Sequence, residues 1–532
     1  MYAQSAVSAL PALEPLRRPG PPPRRPRALP PLAAVAAAFT AVQLLLVLPH
    51  SGLGWDETVY VSQVGGQAPA AYFSAPRARG ISYLVAPLVS VTSSMTALRI
   101  YLALLSGAAL LAALWVWRRL LPAPVLAWGG ALFCGLWMTV YYGPLAMPNL
   151  WCAFGAFAAL GFFLRTARSH AFQDPAATVG LAGCVAAVAL LRPPDVCWLV
   201  LPMLVAALVL RGVRRRVLLA ALVGGALLGA APWIVEAYVH YGGLLARLER
   251  GSEIQGGMGW NVAIGDHVRS LQGRVLCRPC DVPWRQPETA LWWCALPLVT
   301  ATGVRAAARA GRALPAVLAT AVAGSTAVPY LLLMGYAAPR FLLPSYALLA
   351  LPAGEAVRAG FARAFGSGSR FGSGAGARAA ARPGTARWPN GRPHTARSRL
   401  LGGALVVLLA GHLYVQYQVL EGALHRSRGL TRHLRATAAQ LHGLGVRPPC
   451  VITGETAVPV AYYTGCASLE SSGPDASVSE AELRGRIARE PSAVLARPRN
   501  GPPSWARHWP KAQTRMPGLQ AYLKTGGAGR GH

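Results

Sequence analysis

Two adjacent carboxylates, Asp56 and Glu57, stand out in a chain with little acid: 19 Asp and Glu against 51 Lys and Arg, a formal charge of +32 over 532 residues. They occupy Trp55-Asp56-Glu57-Thr58-Val59-Tyr60, directly after the first long apolar run. A carboxylate near a membrane surface, shielded by lipid and neighbouring helices, can carry a tuned pKa and serve as a general base. Taken alone, such a pair reads first as solvated loop acids. What decides between the two readings is the set of elements around it.

Those elements are membrane-spanning. The chain is 54% hydrophobic and only 13% charged, with a mean hydropathy of +0.37. A soluble chain of this length carries more charge, and here the apolar residues are blocked into long runs. Nucleic-acid binding is excluded in spite of the charge, because the arginines cluster in short segments between apolar runs rather than on a face interleaved with aromatics. Such segments obey the topology rule that keeps Lys and Arg in cytoplasmic loops, with anionic lipid headgroups as secondary partners. The Ala, Gly, Pro and Arg bias points to a bacterial cell, hence to its plasma membrane.

The charges also set the expected order of spans. A first run ends at Leu48; Arg118 and Arg119 close the second span, Arg165 and Arg168 the fourth, and Arg214, Arg215 and Arg216 the sixth. Arg305, Arg309 and Arg312 follow the eighth span, and Arg358 and Arg363 the tenth. Alternation puts these groups on one side of about eleven spans, N-terminus in and C-terminus out. The fifth and sixth are the short ones, with about 16 apolar residues each against the ~20 a span needs.

The expected architecture is an all-α polytopic membrane protein with a small extracytoplasmic α/β domain at its C-terminus. Residues 1–30 read as a disordered basic cytoplasmic tail, 31–358 as the membrane region carrying the site, and 359–399 as a disordered basic cytoplasmic loop. Residues 400–420 form the last span and 421–532 the outer domain, with a helix from Thr431 to Leu444, a strand at Cys450–Thr453, a helix near Glu480–Ile487 and an apolar stretch at Ser492–Leu495. No internal repeat is evident. Cys277/Cys280 and Cys450/Cys466 fall outside as two local pairs, where disulfides are the natural reading. A redox motif at Cys277-Arg278-Pro279-Cys280 and a zinc site with His267 are the alternatives.

The first acidic element resembles the Asp-Glu-x-x-Tyr element in the first outer loop of GT-C glycosyltransferases, above all the protein mannosyltransferase and aminoarabinose transferase group. Further elements follow in that family's order. Ser74-Ala75-Pro76 to Pro87-Leu88 matches its Pro-containing segment before the second span, and Leu191-Arg192-Pro193 its mid-chain Arg-Pro element. Ala231-Pro232-Trp233-Ile234 is similar to its Leu-Pro-Trp start of a later outer region, and Pro339-Arg340-Phe341-Leu342-Leu343-Pro344 to its Arg-Tyr-x-x-Pro motif. The likeness covers roughly residues 30–360. Two departures stand: the family's second acid is replaced by Asn149, which cannot ionise, and the small residue usual after Glu57 is missing.

The resemblance implies a donor in which a sugar is linked to a polyprenyl phosphate, with a glycan, lipid or protein as acceptor. Asp56 would be the base in an inverting displacement. Glu57 would orient Asp56, contact the sugar or help hold a divalent metal; no other cofactor is implied. Arg192 and Arg340, with Arg77 or Arg79, would bind the phosphate, since a guanidinium fork matches phosphate oxygens. Tyr60, Tyr141 and Tyr142 would stack on a sugar ring, although a Tyr at a span end reads first as an interface anchor. A transporter or lipid flippase, and a non-catalytic relative in envelope assembly, are the rival readings.

Overall fold

The computed structural model describes residues 28–49, 51–168, 174–365 and 396–525. Of the expected tail, residues 1–27 lie outside the described residues, and Leu29 already begins a helix. Of the expected loop at 359–399, residues 366–395 lie outside them; 359–365 continue a helix and 396–399 start another.

The chain is mostly helical. In order, the helices are α1 (Leu29–Val42), α2 (Trp55–Ser62), α3 (Gly80–Val89), α4 (Met95–Trp117), α5 (Ala123–Cys134), α6 (Trp137–Tyr142), α7 (Pro148–Arg168), α8 (Pro175–Leu191) and α9 (Pro193–Val209). There follow α10 (Arg215–His240), α11 (Leu244–Ile254), α12 (Ile264–Ser270), α13 (Leu291–Arg309), α14 (Ala313–Leu332), α15 (Leu343–Phe365), α16 (Ala396–Gly443), α17 (Ala457–Thr464) and α18 (Glu480–Arg489). Among the described residues, seven helical segments are long and apolar enough to cross a membrane. They comprise Leu29–Val47, α4, α7, α10, Pro287–Arg309, α14 and Leu400–Gly443. Leu228 on α10 and Val407 and Leu408 on α16 are at least 70% exposed. An apolar surface of that extent, on helices whose backbone groups bond internally, belongs in lipid.

Most of α7 is buried, packed between α4, α8 and α15. Helix α10 crosses α8 closely: a Cβ at Gly225 would lie 2.6 Å from the Ala182 carbonyl oxygen, and one at Gly229 2.0 Å from that of Ala186. Small residues four apart on both helices let the backbones touch, the usual route to helix association without a hydrophobic drive.

Two local departures from the sequence reading, and the short fifth and sixth spans that it expected, have physical causes. The third apolar run is broken at Gly135 into α5 and α6, and Gln416 of α16 accepts the Trp137 N–H exposed by the break at 2.9 Å. Helices α8 and α9 have 17 residues each, about 26 Å of helix, and meet at Arg192-Pro193, where proline disfavours helix in the residue before it. Arg192 accordingly has φ −152° and ψ 87°. Finally, the last span and the expected Thr431–Leu444 helix are one continuous 48-residue helix, α16, so residue 420 is not a break.

The C-terminal residues form a five-stranded sheet in the order β2-β1-β3-β5-β4. Its strands are β1 (Val451–Gly454), β2 (Ala467–Ser468), β3 (Ser492–Ala496), β4 (Lys511–Gln513) and β5 (Gln520–Lys524). β1 runs parallel to β2 and β3, with Val451 opposite Ser492; β5 is antiparallel to β3 and β4, with Val494 opposite Tyr522. β3 is buried throughout, as expected of an inner strand covered on both faces. α17 packs on α2 and α16, and the Leu53 N–H donates to the Tyr463 hydroxyl at 2.7 Å. The sheet domain is thereby docked beside the acidic pair.

Candidate functional site

Asp56 and Glu57 are the second and third residues of α2, whose first turn suits carboxylates because its N–H groups are unpaired. Neighbours on a helix point about 100° apart, and this sends the two acids to different partners. Glu57 turns inward. Its side chain is 4% exposed and that of Arg99, on α4, 1%. Arg99 Nη2 donates to Glu57 Oε2 at 2.9 Å and Nη1 to Oε1. Oε1 also accepts the Ala146 N–H at 2.8 Å, and Oε2 the Gly54 N–H at 3.1 Å. Arg99 in turn donates to the Pro144 carbonyl at 2.8 Å and to that of Gly52. This pair ties the first outer loop to the loop before α7.

Asp56 faces a cavity of about 820 Å³ lined by α2, α6, the 272–286 loop, Arg340 and residues 423–430 of α16. Its side chain is 35% exposed. Arg77 Nη2 donates to Oδ1 at 2.8 Å and Arg340 Nη2 to Oδ2 at 3.2 Å. Burial pushes the Asp56 carboxyl up, but Arg77 and Arg340, helped by Arg192, outweigh it and hold the carboxyl below its ordinary value. Arg340 is fixed by donating to the Val275 carbonyl at 2.9 Å, while its Nε has no partner among the described residues.

The other expected residues divide. Tyr141 and Tyr142 are buried in the cavity wall rather than anchored at a lipid interface; the Tyr142 hydroxyl accepts from Arg340 at 3.4 Å. Tyr60 is buried one helical turn from Asp56, edge-on to Phe73. Arg79 turns away from Asp56, donating to Glu236 at 2.6 Å and Gln63 at 2.8 Å. Arg192 pairs with Asp195 at 2.9 Å and donates to Tyr330 at 2.8 Å, beside the Phe341 ring that follows Arg340. It supports the Arg340 segment and does not line the cavity. Asn149 is 1% exposed, with no hydrogen-bond partner among the described residues on either side-chain polar atom and no place in the cavity wall.

Sequence reasoning missed Arg99, Arg274, Arg285, Arg426 and Arg428. The last four line the cavity with Asp56. Arg426 donates to the Gly273 carbonyl at 2.7 Å and Arg428 to that of Leu46 at 2.6 Å. Their signal was visible as basic residues in the long outer loop and just past the last span, where the topology rule disfavours them.

The residues do not fit a divalent metal. Guanidinium groups occupy both oxygens of Asp56, and those of Glu57 are bonded to Arg99 and two N–H groups. Among the described residues no group of three His, Cys, Asp or Glu side chains has metal-holding geometry. Cys277 is joined to Cys280 and Cys450 to Cys466. His267 is buried against the Tyr330 carbonyl at 3.1 Å, and burial pushes its imidazole down to about 4.

The fold has counterparts among solved structures. The chain superposes on ArnT from Cupriavidus metallidurans bound to undecaprenyl phosphate with a TM-score of 0.61 at 14% identity, over 92% of this chain and 97% of that one. The apo state of the same protein gives 0.58 at 15% identity with the same coverage. The apo oligosaccharyltransferase of Archaeoglobus fulgidus gives 0.52 at 12% identity, over 88% of this chain and 69% of that one. The chain thus shares the fold of ArnT and of the archaeal oligosaccharyltransferase. At these identities the likeness is one of fold. No family model and no curated protein matches the sequence.

Proposed function

We propose that the chain is an integral membrane glycosyltransferase that moves a sugar from a polyprenyl-phosphate donor to an extracytoplasmic acceptor. The observation that carries this is Asp56, held between Arg77 and Arg340 on the wall of a cavity with an excess of arginines. A carboxylate beside guanidinium groups is the pairing that deprotonating a hydroxyl and stabilising a leaving phosphate require. The acceptor O–H proton passes to Asp56 as the acceptor oxygen attacks the anomeric carbon. The bond from that carbon to the phosphate oxygen breaks, and the phosphate leaves with the electron pair toward Arg340 and the arginines of the cavity. Attack opposite the leaving group inverts the anomeric centre.

One neighbour supports the donor class: ArnT from Cupriavidus metallidurans is bound to undecaprenyl phosphate, and its fold matches nearly the whole chain. In this reading Glu57 shapes the site, Asn149 takes no part in it, and Arg192 keeps Arg340 in place. Tyr142 and Tyr141 offer ring faces to a sugar. The arginine pattern favours eleven spans with the N-terminus in the cytoplasm and the C-terminal domain outside a bacterial plasma membrane. Against a transporter, the two acids that line the cavity, Asp56 and Glu57, are already paired with arginines and so are not free for ion or substrate coupling. A deletion strain carrying Asp56→Asn decides between catalysis and a non-catalytic role. Mass spectrometry of its glycolipids, polymers and glycoproteins should show the same lost glycan as the deletion; full restoration would leave Asp56 no catalytic part.

A further inference from the structure

The loop 469–478 of the C-terminal domain is closed by backbone bonds from Ser477 N, at 2.8 Å, and Val478 N, at 3.2 Å, to the Glu470 carbonyl. It reaches the membrane region at two points. The Gly473 carbonyl accepts from Arg250 of α11 at 3.2 Å, and Asp475 Oδ1 lies 3.9 Å from Arg77 Nη1. Arg77 is the same guanidinium that holds Asp56 at 2.8 Å, and it is steadied by donating to Ser74 at 2.6 Å. Its side chain is 12% exposed and that of Asp475 22%. One guanidinium thus stands between two carboxylates contributed from opposite ends of the chain.

We propose that Asp475 is a positioning residue that shares Arg77 with Asp56, so that the C-terminal domain sets how strong a base Asp56 is. The inference rests on the reading of Asp56 as the base. A carboxylate clamped by two full arginine charges is a poor base, because proton transfer is best served by a group whose pKa approaches the working pH. Drawing Arg77 toward Asp475 relaxes that clamp. When Asp56 takes the acceptor's proton its charge disappears, and Arg77 needs another carboxylate; Asp475 is already within reach. Coupling between the two acids is mutual: Asp56 pushes the Asp475 carboxyl up, after burial, which is the larger cause, and against the pull of Arg77. Asp475 must push Asp56 up in return.

The other charged and titratable groups facing Asp56 are Arg340, Arg192 and Tyr60, with Tyr142 and Tyr336 further along the wall. Asp475 faces Arg77, Asp56 and Glu470. Asp475 lies outside the cavity wall, so neutralising it leaves the lining unchanged.

Dicyclohexylcarbodiimide reacts with protonated carboxyls, so the rate of Asp56 labelling at fixed pH, read by mass spectrometry on the full chain in lipid nanodiscs, reports its protonated fraction. Asp475→Asn should slow Asp56 labelling by about 10-fold for each unit of lowered pKa, and Asp475→Glu should restore it. Arg250→Ala loosens the loop but keeps the charge, and should leave the rate within about twofold. If Asp475→Asn leaves labelling unchanged or speeds it, or if Arg250→Ala slows it equally, the proposal is overturned. Labelling needs no turnover, so this failure is distinct from failure of the glycosyltransferase reading, which Asp56→Asn tests in the cell.

Discussion

At the scale of the residue, the contrast between Asp56 and Glu57 governs what substitutions should do. Asp56 is held below the ordinary carboxylate value of about 3.9 because its two arginines outweigh burial. A base of that kind is ionised across the physiological range, so the acid limb of the pH–rate profile should lie below pH ~4. The stabilising share of Asp56 is present above its unfolded pKa and is lost as pH falls through the folded one. A limb near pH 6 in wild type would point to another base. Glu57 and Arg99 are a buried pair, where removing one partner strands a charge. Arg99→Met should therefore cost about 3–5 kcal/mol, much of it recovered in Glu57→Leu/Arg99→Met, as thermal unfolding in detergent would show. The position of the acidic pair was legible from sequence; its division of labour was not. Helical geometry separates the two side chains, but the partners come from residues 21 to 284 positions away. Arg99 looked like a residue inside an apolar run.

Elements show the same pattern. The helical segments lie where hydropathy put them, yet the break at Gly135 depends on Gln416 from α16 to satisfy a freed N–H, which no local window contains. Where α10 crosses α8, Gly229 leaves no room for a side chain. Gly229→Leu should lower the unfolding temperature and the yield of folded protein, whereas Gly224→Leu, with open space around it, should not. In the sheet domain Glu470 accepts the Gly454 N–H at 2.7 Å, and burial pushes its carboxyl up to about 7. A raised carboxyl means that the folded state binds the extra proton between the ordinary value of about 4.5 and 7. Stability then falls as pH rises through that window. Glu470→Gln should raise the unfolding temperature at pH 8 and not at pH 4; an equal gain at both would refute the burial account. The strands β4 and β5 escaped the sequence reading because β4 has only three residues and β5 pairs antiparallel with β3 across a long connection.

For the molecule as a whole, the sequence pointed to a membrane bundle with a small α/β domain, and the ArnT-like fold agrees over nearly the full length. What the sequence could not disclose is that a single 48-residue helix, about 72 Å long, carries the chain from the bundle into that domain. It brings Arg426 and Arg428 to the cavity while its far end supports the sheet. The proposed orientation predicts that alkaline phosphatase fused after residue 525 is active and that green fluorescent protein there is dark; the reverse would invert the topology. The most direct test of the central claim is transfer of labelled sugar from undecaprenyl-phosphate mannose or aminoarabinose by membranes containing wild type or Asp56→Asn. Wild type should release undecaprenyl phosphate and yield product of inverted anomeric configuration. Asp56→Asn should lower turnover by about 10²–10⁴-fold while still binding undecaprenyl phosphate. Turnover by Asp56→Asn equal to wild type, or product of retained configuration, would contradict the account.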